Sequence, residues 1–318
     1  MGIVMLQLAA IVGPTGVGKS RIAVKVGQTL DIEIISCDSM QIYRGMDVGT
    51  AKITSEEMGG IPHHMIDICD PDQQFSVSDY QKMVKPLIKQ INDRGRIPVL
   101  VGGTGLYYQV VVDDYQLYPI KATPLVRQRL NEEAELHGNQ ILHQRLESLD
   151  PEAAVNISPN DRKRLVRALE VIEVTGQLFS ALQKKNPGRY NLAVIGLTMP
   201  REVLYQRLER RVDSMLENGL VAEVGQLLEK GYGPGLNSMQ ALGYAQIIKH
   251  LEGHLSCEEA VEEIKRETRR YAKRQLTWFR KDTRINWWDL SNYNEEDTLI
   301  DKICEYFRRT IIGACRIR

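Results

Sequence analysis

Gly13-Pro14-Thr15-Gly16-Val17-Gly18-Lys19-Ser20 decides how this chain is read. It has the form GxxxxGK[ST], and its flanks supply the context that the pattern requires. Leu6–Val12 is a short apolar run ending at the first glycine, as a buried strand does. Beyond it, Ile22, Ala23, Val26 and Leu30 recur at helical spacing. A strand, a glycine-rich turn and a helix in this order make a phosphate cradle. The glycines let successive backbone N–H groups face phosphate oxygens, and the helix N-terminus adds its dipole. Lys19 reaches an outer phosphate and Ser20 can hold Mg²⁺. The loop does not say which phosphate ester it holds, because the diphosphate of any alcohol satisfies it as well as a nucleotide.

Working outward, residues 32–37 form a second apolar run, ending at Asp38. Residues 76–94 have an amphipathic helical period, and 97–101 are a third apolar run ending at Gly102-Gly103. Buried strands joined by helices predict an α/β core of the P-loop NTPase type, a parallel sheet covered on both faces. After Val112 the pattern changes. Residues 123–185 carry helical periods, broken at Gly138, Pro151, Pro159 and Gly176, and no strand signal. A core strand resumes at 192–199. Helices are expected at 200–218, 220–230, 238–250 and 256–282, a last strand at 285–290 and a last helix at 295–312. The expected division is a catalytic core of residues 1–120 and 190–318, with a smaller all-helical insertion domain at 121–189.

The 318 residues carry 41 basic and 41 acidic side chains, so the molecule as a whole is no obvious nucleic-acid binder and the local distribution matters more. Cys37, Cys69, Cys257, Cys304 and Cys315 are scattered without a CxxC pair, which suits reduced thiols in a cytoplasmic protein. No apolar run approaches the roughly 18 residues of a membrane span. The apolar N-terminus lacks a basic leader and a cleavage site, and reads as the first strand rather than a signal peptide.

In an open parallel sheet ligands bind at the carboxyl edge. That places Asp38 in the same crevice as Lys19, either as a catalytic carboxylate or as a helix cap or outer ligand of Mg²⁺. The polar, glycine-containing stretch 43–52 is the kind of loop that covers a site. Gly102-Gly-Thr-Gly-Leu-Tyr107 opens another helix at this edge, and Thr104 either presents its hydroxyl to the crevice or caps that helix. Arg207 and Arg211 share a helix face, where two guanidinium groups either grip a diphosphate or form a solvated basic surface with Glu209 and Asp213.

GPTGVGKS at 13–20, DSMQIYRGMDVGTAK at 38–52 and GGTGLY at 102–107, in this order, resemble the bacterial tRNA dimethylallyltransferase family (tRNA isopentenyltransferase, MiaA). NDRKRLVRALEV at 160–171, RLERRVDSMLENGL at 207–220, MQALGYAQI at 239–247 and TRRYAKRQLTWFR at 268–280 agree with it. The first motif is shared with many kinases and ATPases, whereas the second is far more specific. The zinc finger of eukaryotic members is missing, since Cys304 and Cys315 have no partners at ligand spacing. The resemblance implies a P-loop core without ATP chemistry, dimethylallyl diphosphate as donor and Mg²⁺ as cofactor. The implied acceptor is the exocyclic amine of the adenosine 3′ to the tRNA anticodon (position 37), with no protein partner. Asp38 then resembles the general base, Arg211 the diphosphate arginine, and Thr104 a group touching nucleotide or donor. Ser39, Met40 and Gln41 are the candidates to read a base flipped out of the anticodon loop.

Residues 265–284 hold nine basic side chains against Glu267 and Asp282, with Tyr271, Trp278 and Phe279 interleaved. This combination suits phosphate contact with base stacking, or an amphipathic helix with a solvated face. The expected RNA contacts there are Arg270, Lys273, Arg274, Gln275, Trp278 and Arg280. Further contacts are expected at Arg127 and at Arg162, Lys163, Arg164, Leu165 and Val166 in the insertion, and at Gln240, Gly243 and Tyr244. His63-His64 lacks companions at metal-ligand spacing and is expected to shape a loop over the crevice. The alternatives are an adenylate isopentenyltransferase acting on a free nucleotide, which needs neither the insertion nor the basic helix, and a P-loop small-molecule kinase.

Overall fold

The computed structural model describes residues 5–117, 123–183 and 185–312. In chain order the core opens with β1 (Leu6–Val12), α1 (Lys19–Gly27), β2 (Ile32–Ser36), β3 (His63–His64), α2 (Val77–Asp93), β4 (Ile97–Gly102) and α3 (Gly105–Val112). Four helices follow: α4 (Pro124–His137), α5 (Asn139–Leu149), α6 (Pro151–Asn156) and α7 (Arg162–Thr175). The core resumes with β5 (Tyr190–Thr198), α8 (Arg201–Glu217), α9 (Leu220–Glu229), α10 (Tyr244–Leu251) and α11 (Cys257–Phe279), and closes with β6 (Asn286–Asp289) and α12 (Glu296–Phe307).

Among the described residues the strands form one six-stranded sheet, all parallel, in the order β3-β2-β4-β1-β5-β6. β1 is central, with Val12 level with Gly102 of β4 and Gly196 of β5. The chain leaves β1 toward β2 and later crosses to β5 on the other side, so a ligand crevice is expected at this carboxyl edge. The core strands are mostly apolar because helices cover both faces. Ala9, Ile11, Val99, Val101, Ile195 and Leu197 are buried with Ile22 and Val26 of α1 and Ile303 and Phe307 of α12. Ser76 caps α2 in a capping box with Asp79, which fixes that helix start.

The chain divides into two compact units, Met1–Val112 with Gly188–Arg318, and Asp113–Pro187. The second unit is helical, with its own core of Leu130, Ala134, Leu142, Leu146, Leu165 and Leu169. Glu170 is fully buried there and accepts from Arg127, Arg167 and the Thr123 backbone N–H.

Two expectations are corrected. The helix expected at 238–250 starts only at Tyr244, because Gly243 has a φ of 95° and breaks the helical path before it. His63 and His64 do not shape a loop over the crevice. They are the edge strand β3 beside β2, and His64 Nε2 lies 2.7 Å from Oε2 of the buried Glu33. Two residues are too short a run to show a period.

Candidate functional site: a phosphate cradle at the carboxyl edge of the sheet

β1 stops at Val12 and the glycine-rich loop turns into α1, with Gly18 in the left-handed conformation as its N-cap. The first N–H groups of α1 have no intrahelical partner, so the loop and helix start face a cleft of about 470 Å³. Thr15, Gly16, Lys19 and Ser20 line it from one side, and Asp38, Gln41 and Arg211 from the others. Lys19 and Ser20 thus meet Asp38 and the distant Arg211 in one place. Pro14 and Val17 are buried and support the turn.

The electrostatics of the cleft are dominated by cations. Desolvation pushes the Lys19 ammonium down to about 8; Asp38 opposes the shift and Arg211 adds to it. Burial also pulls the Arg211 guanidinium below its ordinary value, against the pull of Asp38. Arg207 is lowered by burial and by its neighbours Arg21 and Arg210. Lys19 Nζ rests on the Pro14 carbonyl at 2.8 Å, and Arg211 Nη2 on the Thr50 carbonyl at 3.2 Å. Among the described residues neither arginine has a carboxylate ion pair. These charges are held where an anion stabilises them most.

Asp38 accepts the Met40 N–H through Oδ1 at 2.9 Å, as a turn-forming aspartate. It caps no helix, and Oδ2 has no hydrogen-bond partner among the described residues. Thr104 does not cap α3 with its side chain either. Its Oγ1 accepts the Ser39 N–H at 3.1 Å, tying the loop after β4 to the loop after β2. Gln41 is anchored through Ser36 and the carbonyls of Thr50 and Ala51. The Cys37 thiol, pushed up to about 12 by burial, is inert beside this chemistry.

Several residues expected on an RNA surface are elsewhere. Leu165 and Val166 are buried in the core of the helical unit, because they lie on the inward face of α7. Tyr244 is fully buried and donates to Glu223 at 2.6 Å. Gly243 is buried at the start of α10. Gln275 is buried between two loops of the cleft, with its amide bonded to Thr15 and Gly103. Arg127 and Arg162 are engaged with Glu170 and with Asn139 and Glu135, and Arg270 with Glu267. Lys163, Arg164, Gln240, Lys273, Arg274 and Arg280 are exposed, Arg274 over the Tyr271 ring. Trp278 is 38% exposed and packs so closely on Gly105 that a side chain there would collide with it.

Three residues have roles that the sequence did not assign. Glu223 of α9 accepts the N–H groups of Asp47, Val48 and Gly49 at 2.7–3.1 Å and so holds the loop that presents Thr50 to Arg211. Lys52 clamps the same loop through Asp47, Asp67 and the Tyr43 carbonyl. Burial pushes the Tyr271 phenol up to about 12 and Asp38 acts in the same direction, while hydrogen bonds from Thr104 and Gln275 pull it down. An acid on α9 has no local signal, but Tyr271 and Gln275, four residues apart among arginines, marked an inward face of α11.

A metal at Ser20 fits the donor set. No group of three or more His, Cys, Asp or Glu side chains could hold an ion among the described residues. A small hard cation on a diphosphate needs only one or two protein oxygens, with waters and phosphate oxygens completing the shell. The exposed Ser20 hydroxyl in the cleft meets that requirement.

Comparisons with known proteins agree with this architecture. A tRNA dimethylallyltransferase of Syntrophomonas wolfei is 54% identical over 302 residues, covering 95% of this chain and 97% of the relative. The crystal structure of the tRNA isopentenylpyrophosphate transferase of Bacillus halodurans superposes with a TM-score of 0.75 at 46% identity, covering 98% of each chain. A eukaryotic dimethylallyltransferase solved acting on tRNA gives 0.77 at 29% identity, over 92% of this chain and 77% of that one. Residues 41–282 match the IPP transferase family, and the chain belongs to that family.

Proposed function

We propose that the chain transfers the dimethylallyl group of dimethylallyl diphosphate to the exocyclic amine of the adenosine 3′ to the tRNA anticodon, releasing diphosphate. The observation that carries this reading is the set of Lys19, Arg207 and Arg211 around the phosphate loop, with the Asp38 carboxylate acting on Lys19 and Arg211. The loop N–H groups and the three cations hold the diphosphate and stabilise the charge that grows on it as the allylic carbon–oxygen bond breaks. Mg²⁺ bound at Ser20 and the phosphates would add to that charge stabilisation. Adenine's amine is a poor nucleophile because its lone pair is delocalised into the ring. Asp38 Oδ2 takes its proton as the new carbon–nitrogen bond forms, a contribution of about 10²–10⁴-fold. Thr104 and Ser39 hold that loop beside the reacting atoms, and Trp278 offers a face on which an extruded base stacks.

The acceptor is RNA rather than a free nucleotide because the family relatives named above are tRNA enzymes and because α11 and its C-cap carry exposed Lys273, Arg274 and Arg280. Lys163 and Arg164, exposed on the helical unit, are further cations offered to RNA phosphates. The site of action is the cytoplasm, where tRNA is. Among the described residues no helix is long and apolar enough to cross a membrane.

The test is a transfer assay read by mass. Protein, Mg²⁺ and dimethylallyl diphosphate are mixed with an unmodified anticodon stem-loop or with AMP. A prenyl mass gain on the stem-loop alone is expected. Gain on AMP alone would turn the reading to nucleotide prenylation, and ATP consumption without prenyl transfer would turn it to a kinase.

A further inference from the structure

Gln275 of α11 is 6% exposed, and both ends of its amide are committed to the cleft. Oε1 accepts the Thr15 N–H at 2.8 Å, and Nε2 donates to the Gly103 carbonyl at 2.9 Å. A Cβ on Gly103 would collide with Nε2, so the loop after β4 is pressed directly against this amide. One turn earlier, Tyr271 bonds to both Gln275 and Thr104, and Thr104 receives the Ser39 N–H. A single helix therefore laces together the loops after β1, β2 and β4.

The consequence lies in the donors left to the phosphate loop. Pro14 has no N–H, and the Thr15 N–H is taken by Gln275. The nest of free backbone donors therefore begins at Gly16 and runs to Ser20. The missing half is the outer end, because Lys19 Nζ, the group that reaches the outermost phosphate, rests on the Pro14 carbonyl. The Thr15 N–H would be the next donor along the loop toward that end, and Gln275 has capped it.

We propose that Gln275 closes the outer end of the phosphate nest and makes the site selective for a diphosphate over a triphosphate. The idea deepens the donor reading given above, and its test is one of binding, independent of transfer. Calorimetric titration with inorganic diphosphate and inorganic triphosphate, in the same Mg²⁺ buffer, reads the ratio of the two affinities. One hydrogen bond to a charged oxygen is worth about tenfold or more in affinity, so the wild type binds diphosphate at least about tenfold tighter. Gln275→Ala frees the Thr15 N–H and brings the two within about threefold, chiefly by tighter triphosphate binding. Gln275→Glu keeps an oxygen for the Thr15 N–H and retains the wild-type order while weakening both anions. A thermal melt of each variant checks that it is folded.

Equal affinities in the wild type, an unchanged ratio in folded Gln275→Ala, or a lost preference in folded Gln275→Glu overturns the proposal. If Gln275→Ala does not fold, the wild-type and Gln275→Glu ratios still decide it. Prenyl transfer together with equal affinities would remove the role of Gln275 and leave the function standing. Diphosphate selectivity without transfer would do the reverse.

Discussion

Arginines in the cleft and arginines in the helical unit are the same residue in opposite circumstances. On α8, burial pushes both Arg207 and Arg211 down; Arg21 and Arg210 add to the shift at Arg207 against Glu296, and Asp38 opposes it at Arg211. In the helical unit Arg127 and Arg167 bind the fully buried Glu170, while Arg129 and Arg145 bind Glu173. The first pair is a store of unneutralised charge, and the second group holds helices together. A count of basic residues does not separate the two, but the presence of a carboxylate partner does. The unpaired cations are the ones available to an anionic substrate.

Substitution at one position of each region gives the sharpest contrast. Arg211→Gln removes a cation that no neighbour replaces, and we expect kcat/KM for the donor to fall by about 10²–10³. Arg127→Gln is expected to leave donor KM and kcat within about twofold, since that charge is already neutralised. Steady-state kinetics with a fixed stem-loop checks both. A loss of equal size in the two variants would mean that a carboxylate partner does not decide which arginines serve the donor.

The converse holds for stability. Burial works to raise the Glu170 carboxyl, but hydrogen bonds from Arg127, the Thr123 N–H and Arg167 outweigh it and hold it below the usual range. Because the folded value is depressed, this stabilisation is present at neutral pH and disappears as the pH falls through the acid range. Glu170→Gln is expected to cost about 2 kcal/mol, the low side for a buried pair because both arginines remain in contact with water. Chemical denaturation measures it, and the donor KM should not move.

Lys19 links charge to pH at the other end of the comparison. With its value near 8 in the free protein, the ammonium is present below that pH and is lost above it. Donor affinity is therefore expected to fall from about pH 8 upward, by up to tenfold per pH unit. Folding runs the other way. The unfolded chain holds this proton up to about 10.5 and the folded one only to about 8, so between these values stability contributed by Lys19 rises with pH. Isothermal titration with inorganic diphosphate from pH 7 to 9.5 tests the first part. A flat profile would mean that Lys19 stays protonated throughout.

The phosphate loop, the strands around it and the helical stretch after Val112 were legible because their signals are local. GxxxxGK[ST] sits on a strand end, and an apolar run or a helical period is visible within a dozen residues. Asp38 and Thr104 were placed by one rule, that ligands gather at the carboxyl edge of a parallel sheet. What escaped is what the tertiary fold brings from far away. Glu223 reaches back some 175 positions to hold Asp47–Gly49, and no periodicity in α9 announces a carboxylate that will find three N–H groups. Leu165, Val166 and Tyr244 were expected to meet RNA because they stand in segments, NDRKRLVRALEV and MQALGYAQI, that carry the family resemblance. Helical geometry turns Leu165 and Val166 inward, and Tyr244 is buried under the loop that Glu223 holds.

α11 and the turn after it separate charge that contacts RNA from charge that only solvates the surface. Lys265, Arg269, Arg270 and Arg284 are paired with Asp213, Glu209, Glu267 and Asp282. Lys273 and Arg280 are exposed and have no acidic partner among the described residues. A phosphate contact releases a condensed counterion, so each one lost lowers the slope of log affinity against log salt by slightly less than one unit. Lys273→Gln with Arg280→Gln is therefore expected to weaken stem-loop binding a few-fold at moderate salt and to flatten that slope by between one and two units. Lys265→Gln with Arg269→Gln should leave the slope unchanged, because those cations are already neutralised within the protein. Fluorescence anisotropy across a salt series measures all of it. Equal slopes in the two double variants would mean that pairing in the free protein does not decide which cations meet the RNA.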